Sequence, residues 1–136
     1  MNLPRTFEGE IIHGFGRGHK QVGFATANIS TEKWDFELKD SDFGVYCGLV
    51  YIRGEKARIG VVSVGINYTF NEAKPTFEVH ILDFDEDIYG VIMKVELLEL
   101  IRPMLKFNSL NELIAQITAD SQKARELMTP LLDKQK

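Results

Sequence analysis

The chain has 136 residues, 44% of them apolar and 26% charged, and a net charge of −4 from 16 basic and 20 acidic side chains. That length fits one domain, residues 1–136, able to hide roughly two thirds of its unfolded surface without staples. The negative balance argues against a nucleic-acid partner, which asks for a basic face, and no apolar run approaches the ~18 residues of a membrane-spanning helix.

Taken in chain order, Arg5 to His13 reads as a first strand that runs into a glycine cluster. Thr26 and Asn28 follow on an extended segment. Gly44 to Arg53 is rich in Val, Tyr, Leu and Ile, as strands prefer. Gly54-Glu55 looks like a hairpin tip and Lys56 to Gly65 like the return strand. Cys47, the one cysteine, excludes an intrachain disulfide and reads as a half-buried strand residue. Asn67 to Pro75 is polar and turn-rich. Thr76 to Leu82 alternates, with Phe77, Val79 and Ile81 on one face and Thr76, Glu78 and His80 on the other. Asp83 to Gly90 is an acidic turn, and Val91 to Ile101 is a long strand stopped by Arg102-Pro103.

The period then changes. Leu110, Leu113, Ile114, Ile117, Ala124, Leu127 and Met128 fit the 3.6-residue spacing of an amphipathic helix. Ser109 with Glu112 three residues on is a capping-box pattern. Pro130 closes the helix, and Leu131 to Lys136 is expected to fray. Short strands followed by one helix point to a mainly β fold. Closing the sheet removes its edges, and the helix can plug or flank the result. The expectation is a small β-barrel over about 5–101 with a C-terminal helix over about 109–129.

Three constellations could carry chemistry. Gly14, Gly16 and Gly18 alternate after the first strand, with Arg17 and Lys20 beside them. Successive N–H groups in such a turn can cradle phosphates. The run lacks the Gly-Lys-Ser/Thr of a Walker loop and the βαβ setting of a dinucleotide fingerprint, so taken alone it is a weak signal and a hairpin loop is the favoured reading. Thr26 and Asn28 point to the same side and offer hard oxygen atoms, which suit Mg²⁺ held mainly through nucleotide phosphates, or else merely cap a turn. Glu78 could take a proton from a substrate hydroxyl, or simply be solvated. The acidic run Asp83, Asp85, Glu86 and Asp87 fails the calcium-loop template, since Ile88 and Lys94 stand where Gly and Glu belong.

Together these segments resemble the riboflavin kinase family. His13 to Asn28, HGFGRGHKQVGFATAN, is similar to its glycine-rich nucleotide loop ending in Pro-Thr-Ala-Asn. Gly44-Val45-Tyr46, Val64-Gly65-Ile66-Asn67, the stretch from Phe77 to Gly90, and Arg102, Phe107, Ser109 and Leu110 resemble later segments, in order, from about residue 7 to 125. The resemblance implies a six-stranded Greek-key barrel with a C-terminal helix. It implies a phosphotransferase that moves the ATP γ-phosphate to the riboflavin 5′-hydroxyl, giving FMN and ADP. Glu78 would be the base. Thr26 and Asn28 would hold Mg²⁺ or another divalent cation. Gly14, Gly16, Arg17, Gly18 and Lys20, with Thr26 and Asn28, would line the ATP site. Arg102, Leu105, Phe107 and Glu112 would flank the flavin. A cytoplasmic monomer with no nucleic-acid or membrane partner is expected. Ala25 departs from the family's usual Pro, and Tyr68 stands where Pro often follows the Asn; neither removes a reacting group. Many bacterial members carry an additional N-terminal FMN adenylyltransferase domain, for which 136 residues leave no room, so the chain is either a stand-alone kinase or a piece of a longer protein. The alternative is a non-catalytic flavin- or nucleotide-binding module on the same barrel.

Overall fold

The computed structural model describes residues 1–12, 20–21, 24–66 and 75–134. Its elements are β1 (Arg5–Ile12), β2 (Lys20–Gln21), β3 (Phe24–Ile29), a 3-10 turn (Asp40–Asp42), β4 (Gly44–Ile52), β5 (Arg58–Gly65), β6 (Thr76–Ile81), β7 (Ile92–Arg102) and α1 (Leu110–Lys134). Six strands close into a barrel. The order runs β1-β7-β4-β5-β6-β3, and the circuit is completed by antiparallel pairing of β1 with β3 through Ile11↔Ile29 and Ile12↔Asn28. The two-residue β2 hangs on β3 outside this circuit. The expected six-stranded barrel with one terminal helix is therefore what the chain forms.

The β4–β5 hairpin turns where φ is +54° at Arg53 and +72° at Gly54, with the Glu55 N–H donating to the Ile52 carbonyl at 2.9 Å. Two positive φ values in a row match the right-handed twist of the flanking strands. The tip is thus Arg53-Gly54, one residue before the expected pair.

Apolar packing forms two layers. Inside the barrel, Val62, Val64, Phe77, Val79, Val95 and Leu97 have no solvent exposure. Trp34 packs against this core, its ring 5.3 Å from Phe7 and 5.6 Å from Phe77, and its Nε1–H donates to the Glu8 carbonyl at 2.8 Å. The second layer lies outside, where Val45, Cys47, Leu49 and Val61 meet Ala124 and Met128 of α1. This explains why β4 is buried along nearly its whole length: one face looks into the barrel and the other lies under the helix. Burial pushes the Cys47 thiol up to about 11, with the Glu99 carboxylate adding to the effect.

The helix flanks the barrel instead of plugging it. It also runs past Pro130 to Lys134, which corrects both the expected stop and the expected frayed tail. A proline removes one backbone donor and crowds the carbonyl four residues back. Here that carbonyl belongs to Glu126, which is exposed like Pro130 itself, while Leu127, Leu131 and Leu132 pack on the outer apolar layer. Burial on the inner side of the helix outweighs the lost bond on the outer side.

Candidate active site

The barrel's outer face is read from strand alternation. On β6, Phe77, Val79 and Ile81 point inward and are buried, which turns Glu78 and His80 outward. The sheet register then builds two rows across that face. Asn28 of β3 stands directly opposite Glu78, Glu78 opposite Ser63 of β5, Ser63 opposite Val45 of β4, and Val45 opposite Arg102 of β7. One step along the strands, Thr26 stands opposite His80, and His80 opposite Val61. Directly opposed residues have Cβ atoms about 5 Å apart. Asn28, Glu78 and Ser63 therefore form a contiguous strip of polar side chains, with Thr26 next to it.

The strip is partly sheltered. Asn28 is 9% exposed, and Thr26, Ser63 and Glu78 are half-buried. His80 is held below the usual imidazole range, first by burial and then by the Arg125 guanidinium of α1. Arg125 in turn donates to both carboxylate oxygens of Asp83 at 2.7 and 2.9 Å, and this holds the Asp83 carboxyl below its ordinary value. Thr26 and Asn28 bring two oxygen donors to one side of β3. No group of three or more His, Cys, Asp and Glu side chains able to hold a metal occurs among the described residues. That donor set fits a hard cation that takes its remaining ligands from phosphates and water.

The far end of the first row is built differently. The Arg102 Nε donates to Asp120 Oδ1 at 2.9 Å and Nη2 donates to Oδ2 at 2.8 Å, a two-pronged pair between the end of β7 and the middle of α1. Both partners are sheltered, with side chains 15% and 3% exposed. Gln116 Nε2 donates to Asp120 Oδ1 at 3.0 Å, Arg102 Nη1 donates to the Pro103 carbonyl at 3.1 Å, and the guanidinium lies 5.8 Å from the Phe107 ring centre. The connecting segment ends at Ser109, whose Oγ accepts the Glu112 N–H at 3.1 Å and caps α1 as its sequence spacing indicates. Leu105 is 48% exposed, Phe107 is half-buried and Glu112 is exposed in the first helical turn.

Of the residues singled out in the sequence, Thr26, Asn28 and Glu78 come together on one patch and Arg102 meets Phe107 at another place, while Leu105 lies on the segment between those two and Glu112 in the first turn of α1. Gly14, Gly16, Arg17 and Gly18 lie outside the described residues, and Lys20 is described by its backbone alone, paired with Ala25. Ser63, Met104 and Asp120 were not singled out. Asp120 did carry a signal: it falls on the buried stripe between Ile117 and Ala124, where a carboxylate needs a partner.

A family model described as "Flavokinase: Riboflavin kinase" matches residues 1–128. The chain belongs to the riboflavin kinase family. It is 36% identical over 126 residues to riboflavin kinase of Homo sapiens, covering 92% of this chain and 81% of that one. It is 37% identical over 134 residues to the bifunctional riboflavin kinase/FMN adenylyltransferase of Listeria monocytogenes, covering 98% of this chain and 41% of that protein. Among solved structures, riboflavin kinase from Trypanosoma brucei superposes with a TM-score of 0.62 at 26% identity, covering 95% of this chain and 83% of that chain. Riboflavin kinase membership thus accounts for the barrel, its terminal helix and the order of the motifs.

Proposed function

We propose that this chain is an ATP:riboflavin 5′-phosphotransferase, producing FMN and ADP, and that the strip formed by Thr26, Asn28 and Glu78 is where transfer occurs. The observation that carries the reading is the direct cross-strand pairing of Asn28 with Glu78 on the sheltered outer face. It sets a carboxylate beside two hard oxygen donors in a family whose named members are riboflavin kinases.

Phosphoryl transfer asks for in-line positioning and charge neutralisation more than for covalent chemistry. Glu78 accepts the proton of the acceptor hydroxyl as its oxygen attacks the γ-phosphorus. The strand rungs on both sides of β6 fix the backbone that carries Glu78, so little reorganisation is needed at the moment of reaction. Thr26 and Asn28 would hold the divalent cation, taken here as Mg²⁺, which when bound supplies positive charge against the nucleotide phosphates. Gly14, Gly16, Arg17, Gly18 and Lys20 would complete the ATP side. Arg102, Leu105, Phe107 and Glu112 would border the flavin ring. The same proposal takes the chain as one domain acting as a cytoplasmic monomer. Closure of the barrel supports the monomer, because pairing β1 with β3 leaves, among the described residues, less free sheet edge for a second copy to extend.

The test is FMN formation as a function of Mg²⁺. Wild-type protein with riboflavin and ATP makes FMN only when a divalent cation is present. Thr26→Ala keeps the fold but moves the half-saturating Mg²⁺ concentration up by about tenfold or more, as expected for loss of an oxygen ligand. An unchanged magnesium dependence in Thr26→Ala would count against its ligand role.

A further inference from the structure

Met104 joins the two ends of the site. Ser63 Oγ donates to its thioether sulfur at 3.5 Å. Its side chain also lies over Gly65, where an added Cβ would stand 3.1 Å from Met104 Cγ and 3.5 Å from its sulfur. Met104 follows the end of β7, yet it rests on β5, two strands away in the sheet order β7-β4-β5. Ser63, on which it rests, is the direct cross-strand partner of Glu78. In the chain, Met104 sits two residues after Arg102 and three before Phe107.

We propose that Met104 is a specificity-determining residue for the acceptor substrate: it forms the floor beneath the polyhydroxylated chain that joins the reacting hydroxyl to the flavin ring. This deepens the kinase reading and rests on it. An acceptor whose terminal hydroxyl meets Glu78 and whose ring lies against Leu105 and Phe107 has to cross the ground between them. Met104 and Ser63 occupy that ground. An unbranched thioether suits the task, since it adapts its shape and packs well beside aromatic ring edges. The Ser63 hydroxyl donates to the sulfur and holds this thioether in place on β5. Gly65 matters for the same reason: a Cβ there would press on Met104 Cγ and shift it by a few tenths of an ångström.

The experiment compares wild type with Met104→Ala and Met104→Leu. Four quantities are measured: KM for riboflavin, KM for ATP, riboflavin binding by quenching of flavin fluorescence, and Tm. Loss of the thioether is expected to raise the riboflavin KM by about tenfold or more, the scale of an apolar pocket contact, and to weaken riboflavin binding in parallel. The ATP KM and the Tm stay near wild type. Met104→Leu keeps the volume and returns the riboflavin KM to within about threefold of wild type. An unchanged riboflavin KM in Met104→Ala would overturn the inference. So would a rise in both KM values together with a lower Tm, because that marks a purely structural residue. If wild type makes no FMN yet binds riboflavin, and Met104→Ala loses that binding, the kinase reading falls, and with it the acceptor role, while the contact of Met104 with riboflavin stands. A wild type that neither turns over nor binds riboflavin overturns both.

Discussion

Replacing Glu78 by Gln is expected to lower kcat by roughly 10²–10⁴-fold, the usual contribution of a positioned general base, while riboflavin and ATP binding stay close to wild type. The substitution keeps shape and reach and removes the carboxylate charge, and with it the ability to take a proton. The fold should not notice. Glu78 is outward-facing and half-buried, while β6 is anchored by the fully buried Phe77 and Val79 and by rungs to β3 and β5. Steady-state kinetics beside fluorescence binding separates the two effects. A variant with full turnover would remove Glu78 from the base role; one that loses binding as much as turnover would make it a ligand contact instead.

Removing Asp120 should produce the largest loss of stability. Asp120→Ala leaves the Arg102 guanidinium, 15% exposed, without the carboxylate it pairs with, and strips Gln116 of that acceptor. Breaking a buried pair from one side costs roughly 3–5 kcal/mol, a drop in Tm of roughly 10–20 °C for a domain this size. The pair also ties α1 to the end of β7, next to the segment that holds Met104 and Phe107. Replacing both charges by apolar residues, Arg102→Met with Asp120→Leu, should recover most of the stability, because no charge is then stranded. It should not recover flavin affinity if Arg102 borders the ring. Thermal unfolding of the single and double variants checks this, and a single variant within about 2 °C of wild type would show that the pair contributes little.

Much of the fold was readable from local pattern. The alternation from Thr76 to Leu82 put Phe77, Val79 and Ile81 on one face and Glu78 on the other, and the first of these faces is the buried one. The hairpin around Gly54 and the helix cap at Ser109 were likewise legible, because turn and cap chemistry is local. Pro130 misled, since a local breaker was outweighed by tertiary burial of Leu131 and Leu132. What pattern could not give was contact across the chain. Trp34 meets Phe7 and Phe77, and Arg102 meets Asp120, only once the barrel has closed.

The same limit applies to the site. Thr26, Asn28 and Glu78 drew notice through residue type and family resemblance, but the pairing of Asn28 with Glu78 depends on sheet register. Met104 had no sequence signal at all. An isolated methionine after a strand is unremarkable until its sulfur is seen on Ser63.

The most direct test of the account is transfer of label from ATP marked at the γ-phosphate. The purified chain is incubated with riboflavin, labelled ATP and Mg²⁺, and the products are separated by chromatography. The account predicts labelled FMN, formed only when riboflavin, ATP and a divalent cation are all present. A folded protein that binds riboflavin or ATP but passes no label to the flavin would contradict it.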